Sequence, residues 1–255
     1  MSDHHQFPPS AERAKSALVD HDTYLDMYQR SIEQPDAFWD EMGRAQIDWM
    51  KPYTKINNST YDATSLSIKW YEDGTLNASA NCLDRHLDTR GDQTALIFEG
   101  DDPSTSRHIS YRELHDEVCR FANVLKARGV KAGDRVTIYM PMIVEAVVAM
   151  LAVVRIGAVH SVVFGGFSPD ALAGRIQDCD SHVIITADEG VRGGKPIPLK
   201  ANTDKALEMC PDCQTVIVVK RTGGNIDWHD GRDFWYHEEM AKVDADCPPA
   251  EVGAE

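Results

Sequence analysis

From Thr94 onward the chain alternates between short apolar runs and longer stretches whose apolar positions recur every three to four residues. ALIFEG (95–100), RVTIYM (135–140), AVHSVVF (158–164), HVIITA (182–187) and TVIVVK (215–220) have the length and β-branched content of strands. The segments between them predict helices. The clearest is YRELHDEVCRFANVLKARG, where Ser110 stands at the N-cap and Glu113 three residues later completes a capping box. Its apolar face is Leu114, Val118, Phe121, Ala122 and Leu125, and Gly129 supplies the stop. VEAVVAMLAVVRIG (144–157) is apolar nearly all round, PDALAGRIQD (169–178) follows the next strand, and IPLKANTDKALEMC (197–210) is mostly helical in pattern. Strands apolar on both faces, alternating with helices, predict an α/β fold with a mostly parallel sheet flanked by helices. Its crossovers are expected to be right-handed.

The first third is patterned differently. Residues 1–35 are mostly polar, with little packing expected at the tip. FWDEMGRAQIDWM then reads as helical, and Trp39, Trp49 and Tyr53 mark an appendage anchored by aromatic rings. IKWYEDGTLNASANCLDRHLDTRG predicts a short strand, an Asp73-Gly74 turn and a helix carrying Leu83 and Leu87. Near the far end, WHDGRDFWYHEEM predicts a surface turn and a helix, with Trp228 and Trp235 packing, and DADCPPAEVGAE is linker-like.

Charge narrows the functional classes. With 41 acidic and 26 basic side chains in 255 residues, the net charge is −15. Such a surface repels nucleic acid and anionic membranes, so an anionic ligand needs a local cluster of cations or oriented amides. The start, MSDHHQFPPS, is not a secretory signal, and the longest uncharged apolar run, Ala146 to Val154, is too short to span a bilayer. A cytoplasmic protein is expected. Six scattered cysteines then read as reduced thiols. Cys210 and Cys213, in CPDC, have a metal-like or redox-like spacing, but a zinc site needs about four ligands and no second close pair exists. A helix end followed by a turn is the simpler reading.

Two loops carry the candidate chemistry. FGGFSP (164–169) follows a predicted strand and leads into a helix with Ser168 at the N-cap and Pro169 at the first helical position. Loops at the carboxyl ends of strands are where open α/β sheets bind ligands, and helix starts there offer free amides. Gly165 and Gly166 equally fit a plain corner. ADEGVRGGKPIPLK (187–200) follows the next strand and sets Arg192 and Lys195 around Gly193 and Gly194. That suits a phosphate, a fork and a point charge flanking bare backbone; a solvated turn offsetting Asp188 and Glu189 fits as well. The two loops are expected to meet if their strands are neighbours. No Ser-His-Asp set or GxSxG motif is visible, and His86, His115 and His160 stand singly in helix or strand patterns.

Over longer runs the chain resembles the N-terminal part of the acetate–CoA ligases (acetyl-CoA synthetases), in the adenylate-forming superfamily. The resemblance lies in IKWYEDGTLNASANCLDRHL, FEGDDPSTSRHISYRELHDEVCRFAN, IYMPM, AVVAMLAVVRIGAVHSVVFGGFSPDALAGRI and ITADEGVRGGKPIPLK, and extends from about Tyr24 to Trp235. A disordered tail is expected over 1–23, and the resemblance implies a family-type N-terminal extension over 24–85 and part of an AMP-binding domain over 86–255. It implies the family's reaction: acetate and ATP, with Mg2+, give acetyl-adenylate, and the thiol of coenzyme A then displaces AMP.

The same resemblance implies a coenzyme A nucleotide site within this chain. Arg192, Gly193, Gly194 and Lys195 would face the 3′-phosphate, and Phe164 and Gly165, with Ile197 close by, would pack the adenine. Lys195 stands where some relatives have arginine, keeping the charge but losing a fork. The phosphate loop for ATP, the Mg2+ site, the acetate pocket and the adenylation lysine are expected beyond Glu255. No catalytic and no metal-binding residue is therefore assigned, and the 255 residues alone are expected to be inactive. Alternatives are a fragment of a propionate or other short-chain acyl-CoA synthetase, and a non-catalytic module that binds coenzyme A or another nucleotide. An incomplete sheet would also favour self-association.

Overall fold

The computed structural model describes residues 7–255, except for the side chain of Pro103. Of the tail expected over 1–23, residues 1–6 lie outside the described residues. Residues 7–20 are exposed, and α1 (Ala11–Ser16) forms among them. The chain divides into two compact units, residues 1–74 with 254–255, and residues 75–253.

In the first unit, α2 (His21–Glu33) and α3 (Pro35–Gln46) pack on each other. Asp20 caps α2 by accepting the Thr23 amide at 2.8 Å, and Pro35 opens α3. The aromatic residues build this unit's own core. Tyr53 is 2% exposed, its ring 4.5 Å from Tyr71 and 4.9 Å from Trp49, and its hydroxyl donates to Asp40 Oδ1 at 2.8 Å. The strand expected at Ile68–Tyr71 is reduced to two isolated bridges, Asn57 to Trp70 and Thr60 to Ser67.

The second unit begins with β1 (Thr75–Leu76), which pairs antiparallel with β11 (Val252–Gly253). The helix expected around Leu83 and Leu87 is broken into α4 (Ala78–Cys82), a 3-10 turn (Asp84–His86) and α5 (Leu87–Arg90). The break falls at Asp84, whose carboxylate is drawn onto Arg155. A hairpin, β2 (Thr94–Phe98) and β3 (Arg107–Ser110), leads into α6 (Tyr111–Ala127), with the capping box formed and its five predicted apolar positions buried.

Then come β4 (Arg135–Met140), α7 (Val144–Arg155), β5 (Val159–Phe164), α8 (Pro169–Cys179) and β6 (Val183–Ala187). A short antiparallel hairpin, β7 (Gly190–Arg192) and β8 (Lys195–Ile197), precedes α9 (Leu199–Leu207), β9 (Thr215–Val219), β10 (Asp233–Trp235) and α10 (Tyr236–Met240). Five strands form one sheet in the order β10-β9-β6-β4-β5, every pair parallel.

This order fixes the layers. The step from β4 to β5 runs one way across the sheet, whereas those from β5 to β6 and from β6 to β9 run the other way. Right-handed crossovers therefore set α7 on one face and α8 and α9 on the other. Accordingly α6 packs on α7, and α8 on α9. β4, β6 and β9 are buried along almost their whole length, as the apolar runs predict. β5 differs because it is an edge strand: Val159, Val162 and Phe164 are exposed. β10 was not foreseen, since DFW is short and follows the polar HDGR. Its Asp233 is buried against Lys200, whose Nζ lies 2.8 Å from Asp233 Oδ2 and donates to Asp204 Oδ1 at 2.7 Å. That pairing settles two buried charges at once.

Candidate functional site

The sheet reverses its winding direction between β4 and β6, and in such folds ligands bind outside the carboxyl ends of the strands at that point. A cavity of about 690 Å³ lies there, within the roughly 300–1,000 Å³ of small-molecule sites. Met140 to Met142 after β4, Phe164 to Gly166 after β5, Gly190 to Arg192 after β6 and Arg221 after β9 all reach it.

Of the residues singled out from the sequence, Phe164, Gly165, Arg192 and Ile197 line this cavity together. Gly193, Gly194 and Lys195 do not; they form the exposed tip of the β7–β8 hairpin. The two loops meet although β5 and β6 are not neighbours, because β4 lies between them. The hairpin spans that gap.

The glycines divide into two kinds. Gly193 and Gly194 have φ of +56° and +73°, the pair of left-handed residues that a tight two-residue hairpin turn requires. A Cβ there would meet nothing within 4 Å, so the constraint is backbone conformation. Gly165 and Gly166 are set by contact. A Cβ on Gly165 would come 3.2 Å from the Met140 carbonyl oxygen, and one on Gly166 would come 2.6 Å from the Phe164 ring. These two glycines turn the corner closely against β4 and leave room for Phe164, which stays 62% exposed with its ring edge-on to Phe167.

Tyr139 fixes this loop. Its hydroxyl donates to the Phe167 carbonyl at 2.8 Å and receives the Asn202 amide at 3.3 Å. Burial pushes the phenol above its ordinary range, so it stays a donor. Ser168 caps α8 as expected, accepting the Ala171 amide at 3.3 Å, but neither Ser168 nor Pro169 reaches the cavity. The helix start is therefore not the ligand-facing feature of this loop.

Arg192 and Lys195 pair directly across β7 and β8. Two cations at directly opposed positions destabilise a hairpin unless an anion sits between or beside them. Neither makes an ion pair among the described residues, which makes this a bare cationic edge on an acidic protein.

Other lining residues were missed in the sequence: Phe98 at the end of β2, Glu99 and Asp101 of the β2–β3 connection, and Arg221. Arg221 was findable, since it stands just past a strand in the region where open sheets bind ligands. Phe98 was not, because a β2–β3 hairpin leaning over the sheet has no sequence signature.

The remaining candidates are structural. Cys210 and Cys213 are buried at the turn after α9, and burial, with Cys210 adding to it, pushes the Cys213 thiol up to about 12. No group of three His, Cys, Asp or Glu side chains among the described residues is arranged to hold a metal ion. A second cavity, about 570 Å³, lies in the first unit between Phe38, Trp39, Met42, Ile47 and Trp70, with no charged side chain to orient a ligand.

Comparison with known proteins bears on the family and the fold. Residues 83–251 match the family model described as AMP-binding enzyme, and residues 24–82 match that of the acetyl-coenzyme A synthetase N-terminus. The chain is 67% identical over 249 residues to the acetyl-coenzyme A synthetase of Parvibaculum lavamentivorans, covering 98% of this chain and 38% of that protein. It is 60% identical over 257 residues to that of Aeromonas hydrophila, covering 100% and 39%. Among solved structures, the acetoacetyl-CoA synthetase from Streptomyces lividans superposes with a TM-score of 0.83 at 26% identity, over 96% of this chain and 39% of that one. The chain thus spans about two fifths of the length of the relatives it matches. With a family model covering most of its second unit and an α/β sheet wound to match, the chain belongs to the AMP-binding enzyme family.

Proposed function

We propose that this chain supplies the coenzyme A nucleotide site of an acetate–CoA ligase, which makes acetyl-CoA from acetate, ATP and coenzyme A. The observation that carries the reading is the gathering of Phe164, Gly165, Ile197 and Arg192 around one cavity. The adenine packs between the exposed Phe164 ring and Ile197, over the bare backbone at Gly165. The 3′-phosphate sits against Arg192 and Lys195, relieving their repulsion across the hairpin. Gly193 and Gly194 serve the site by making the turn that sets these two cations side by side.

In the reaction so proposed, acetate attacks the α-phosphate of ATP, with Mg2+ supplying charge stabilisation, and pyrophosphate leaves. The thiol of coenzyme A then attacks the acetyl carbonyl and AMP leaves. This chain's residues bind and orient the nucleotide end of coenzyme A; none is assigned to adenylation, and the 255 residues alone carry no acetate-dependent ATP–pyrophosphate exchange. Acetate is favoured over propionate by the names of the relatives.

We read residues 24–85 as the N-terminal extension and 86–255 as part of the AMP-binding domain; the meeting of the two family matches at 82 and 83 supports this. A cytoplasmic setting belongs to the same reading, and no helix among the described residues is long and apolar enough to cross a membrane. Self-association of the chain through the free edge of β5 completes it, supported by the exposure of Val159 and Val162.

The test is calorimetric titration with coenzyme A and dephospho-coenzyme A. The 255-residue chain is expected to prefer coenzyme A, and Arg192→Gln to abolish the preference. Equal binding of both ligands by the unaltered chain would refute the assignment of Arg192 and Lys195.

A further inference from the structure

We propose that Arg221 is a second anion-binding residue of the cavity and holds the diphosphate of coenzyme A, while Arg192 and Lys195 hold the 3′-phosphate. This rests on the coenzyme A reading above.

Arg221 lines the cavity from the end of β9, whereas Arg192 enters from β7. Its guanidinium carbon lies 5.6 Å from the centre of the Phe98 ring, which lines the same cavity. No acceptor among the described residues reaches that guanidinium, and its Nε is shut off from solvent without a partner. Arg221 as a whole is only partly buried, so its unpaired guanidinium in the cavity wall is open to an acceptor from elsewhere. The two acids lining the cavity do not fill that role. Glu99 accepts a hydrogen bond from Ser106 Oγ at 2.8 Å, and neither Glu99 nor Asp101 pairs with Arg221.

The backbone around Arg221 is held rigidly. The fully buried Asp188 accepts the amides of Glu189 at 2.7 Å and Arg221 at 2.8 Å on Oδ1, and that of Gly223 at 2.8 Å on Oδ2. This fastens the turn after β9 to the end of β6, which leads into the hairpin bearing Arg192. The two cations are thus carried on one connected frame. A guanidinium held within cation–π range of the Phe98 ring keeps its fork in the cavity wall, and that fork suits two phosphoryl oxygens. In coenzyme A the diphosphate and the 3′-phosphate leave the ribose from different carbons, so two separate cationic points are what the ligand needs.

The experiment is titration of the 255-residue chain with coenzyme A, dephospho-coenzyme A and adenosine 3′-monophosphate, the last lacking the diphosphate. Arg221→Gln is expected to weaken the first two by the same factor, about tenfold or more, the size of one charge-assisted hydrogen bond. It should leave adenosine 3′-monophosphate unchanged, and Arg221→Lys should retain part of the loss. Wild-type affinity of Arg221→Gln for all three ligands would overturn the proposal, while loss of the 3′-phosphate preference in Arg192→Gln would still uphold the coenzyme A reading. Equal weakening of all three ligands would also overturn it, by showing that Arg221 serves the fold or the 3′-phosphate. No binding of coenzyme A by the unaltered chain would bring down both.

Discussion

The hydroxyl of Tyr139 donates to the carbonyl of Phe167 at 2.8 Å, tying the middle of the sheet to the loop that carries Phe164 and Gly165. Tyr139 is fully buried, so the loop is anchored to a close-packed part of the core. Tyr139→Phe keeps the ring and removes the donor. The expected cost is about 1 kcal/mol of global stability, read by urea unfolding. Amide exchange at Phe167, whose N–H donates to the Phe164 carbonyl at 3.0 Å, should accelerate more than exchange in the sheet. Unchanged exchange at Phe167 would show that the loop is held by the glycine contacts alone.

Arg155 is the hub of the unit's other side. It is 2% exposed, donates through Nη1 and Nη2 to Asp84 at 2.8 and 2.9 Å, and through Nε to the Cys247 carbonyl at 2.6 Å. It thereby joins the broken helix near Asp84, α7 and the segment leading to β11. Arg155→Met leaves the Asp84 carboxylate with His115 as its remaining partner and the Cys247 carbonyl with only the Cys119 thiol, at an expected cost of about 3 kcal/mol in urea unfolding. The double variant Arg155→Met, Asp84→Leu should recover part of that loss at pH above the ordinary imidazole range, where His115 without Asp84 is neutral and no charge is stranded.

The same cluster gives a pH dependence of known sign. The Asp84 hydrogen bond, with Cys119 adding to it, raises the His115 imidazole to about 10. A raised folded-state value means that the cationic form stabilises the fold, fully below the unfolded value near 6.5. That contribution is lost as pH rises from about 6.5 through 10. For Asp84, burial acts upward, but hydrogen bonds from His115 and Arg155 outweigh it and hold the carboxyl well below its ordinary range. Its contribution is present above the unfolded value near 3.9 and is lost in stronger acid. Urea midpoints measured from pH 6 to 10 should fall for the unaltered chain, and His115→Gln should flatten that slope.

At the hairpin tip the prediction concerns backbone alone. Gly194→Val must hold a β-branched residue at φ near +73°, while a side chain there has open space. The hairpin should open, with coenzyme A affinity falling and global unfolding nearly unchanged. Gly193→Asn, which a turn of this kind accepts, should bind as the unaltered chain does.

Val162 lies exposed on the edge strand β5, and a lysine there is the ordinary protection for a free edge. Val162→Lys should shift the chain toward monomer in sedimentation velocity at the same concentration. An unaltered chain that is already monomeric would remove the proposed self-association.

By itself the sequence determined most of the strands and helices from Thr94 onward and that they alternate as in a parallel α/β sheet. Ser110 with Glu113, Ser168 with Pro169, and the all-apolar runs at β4, β6 and β9 are local signals, each satisfied by neighbours a few residues away or by burial on both faces. The tertiary structure decided strand order, and with it the site. Inserting β4 between β5 and β6 put the winding reversal where it is, made β5 an edge, and let a two-residue hairpin carry Arg192 across to Phe164. It also decided what was invisible locally: that Asp84 breaks a helix to meet Arg155, and that Asp188 holds Arg221 in the cavity wall. These depend on partners 33 to 71 residues apart along the chain, a separation no local pattern encodes.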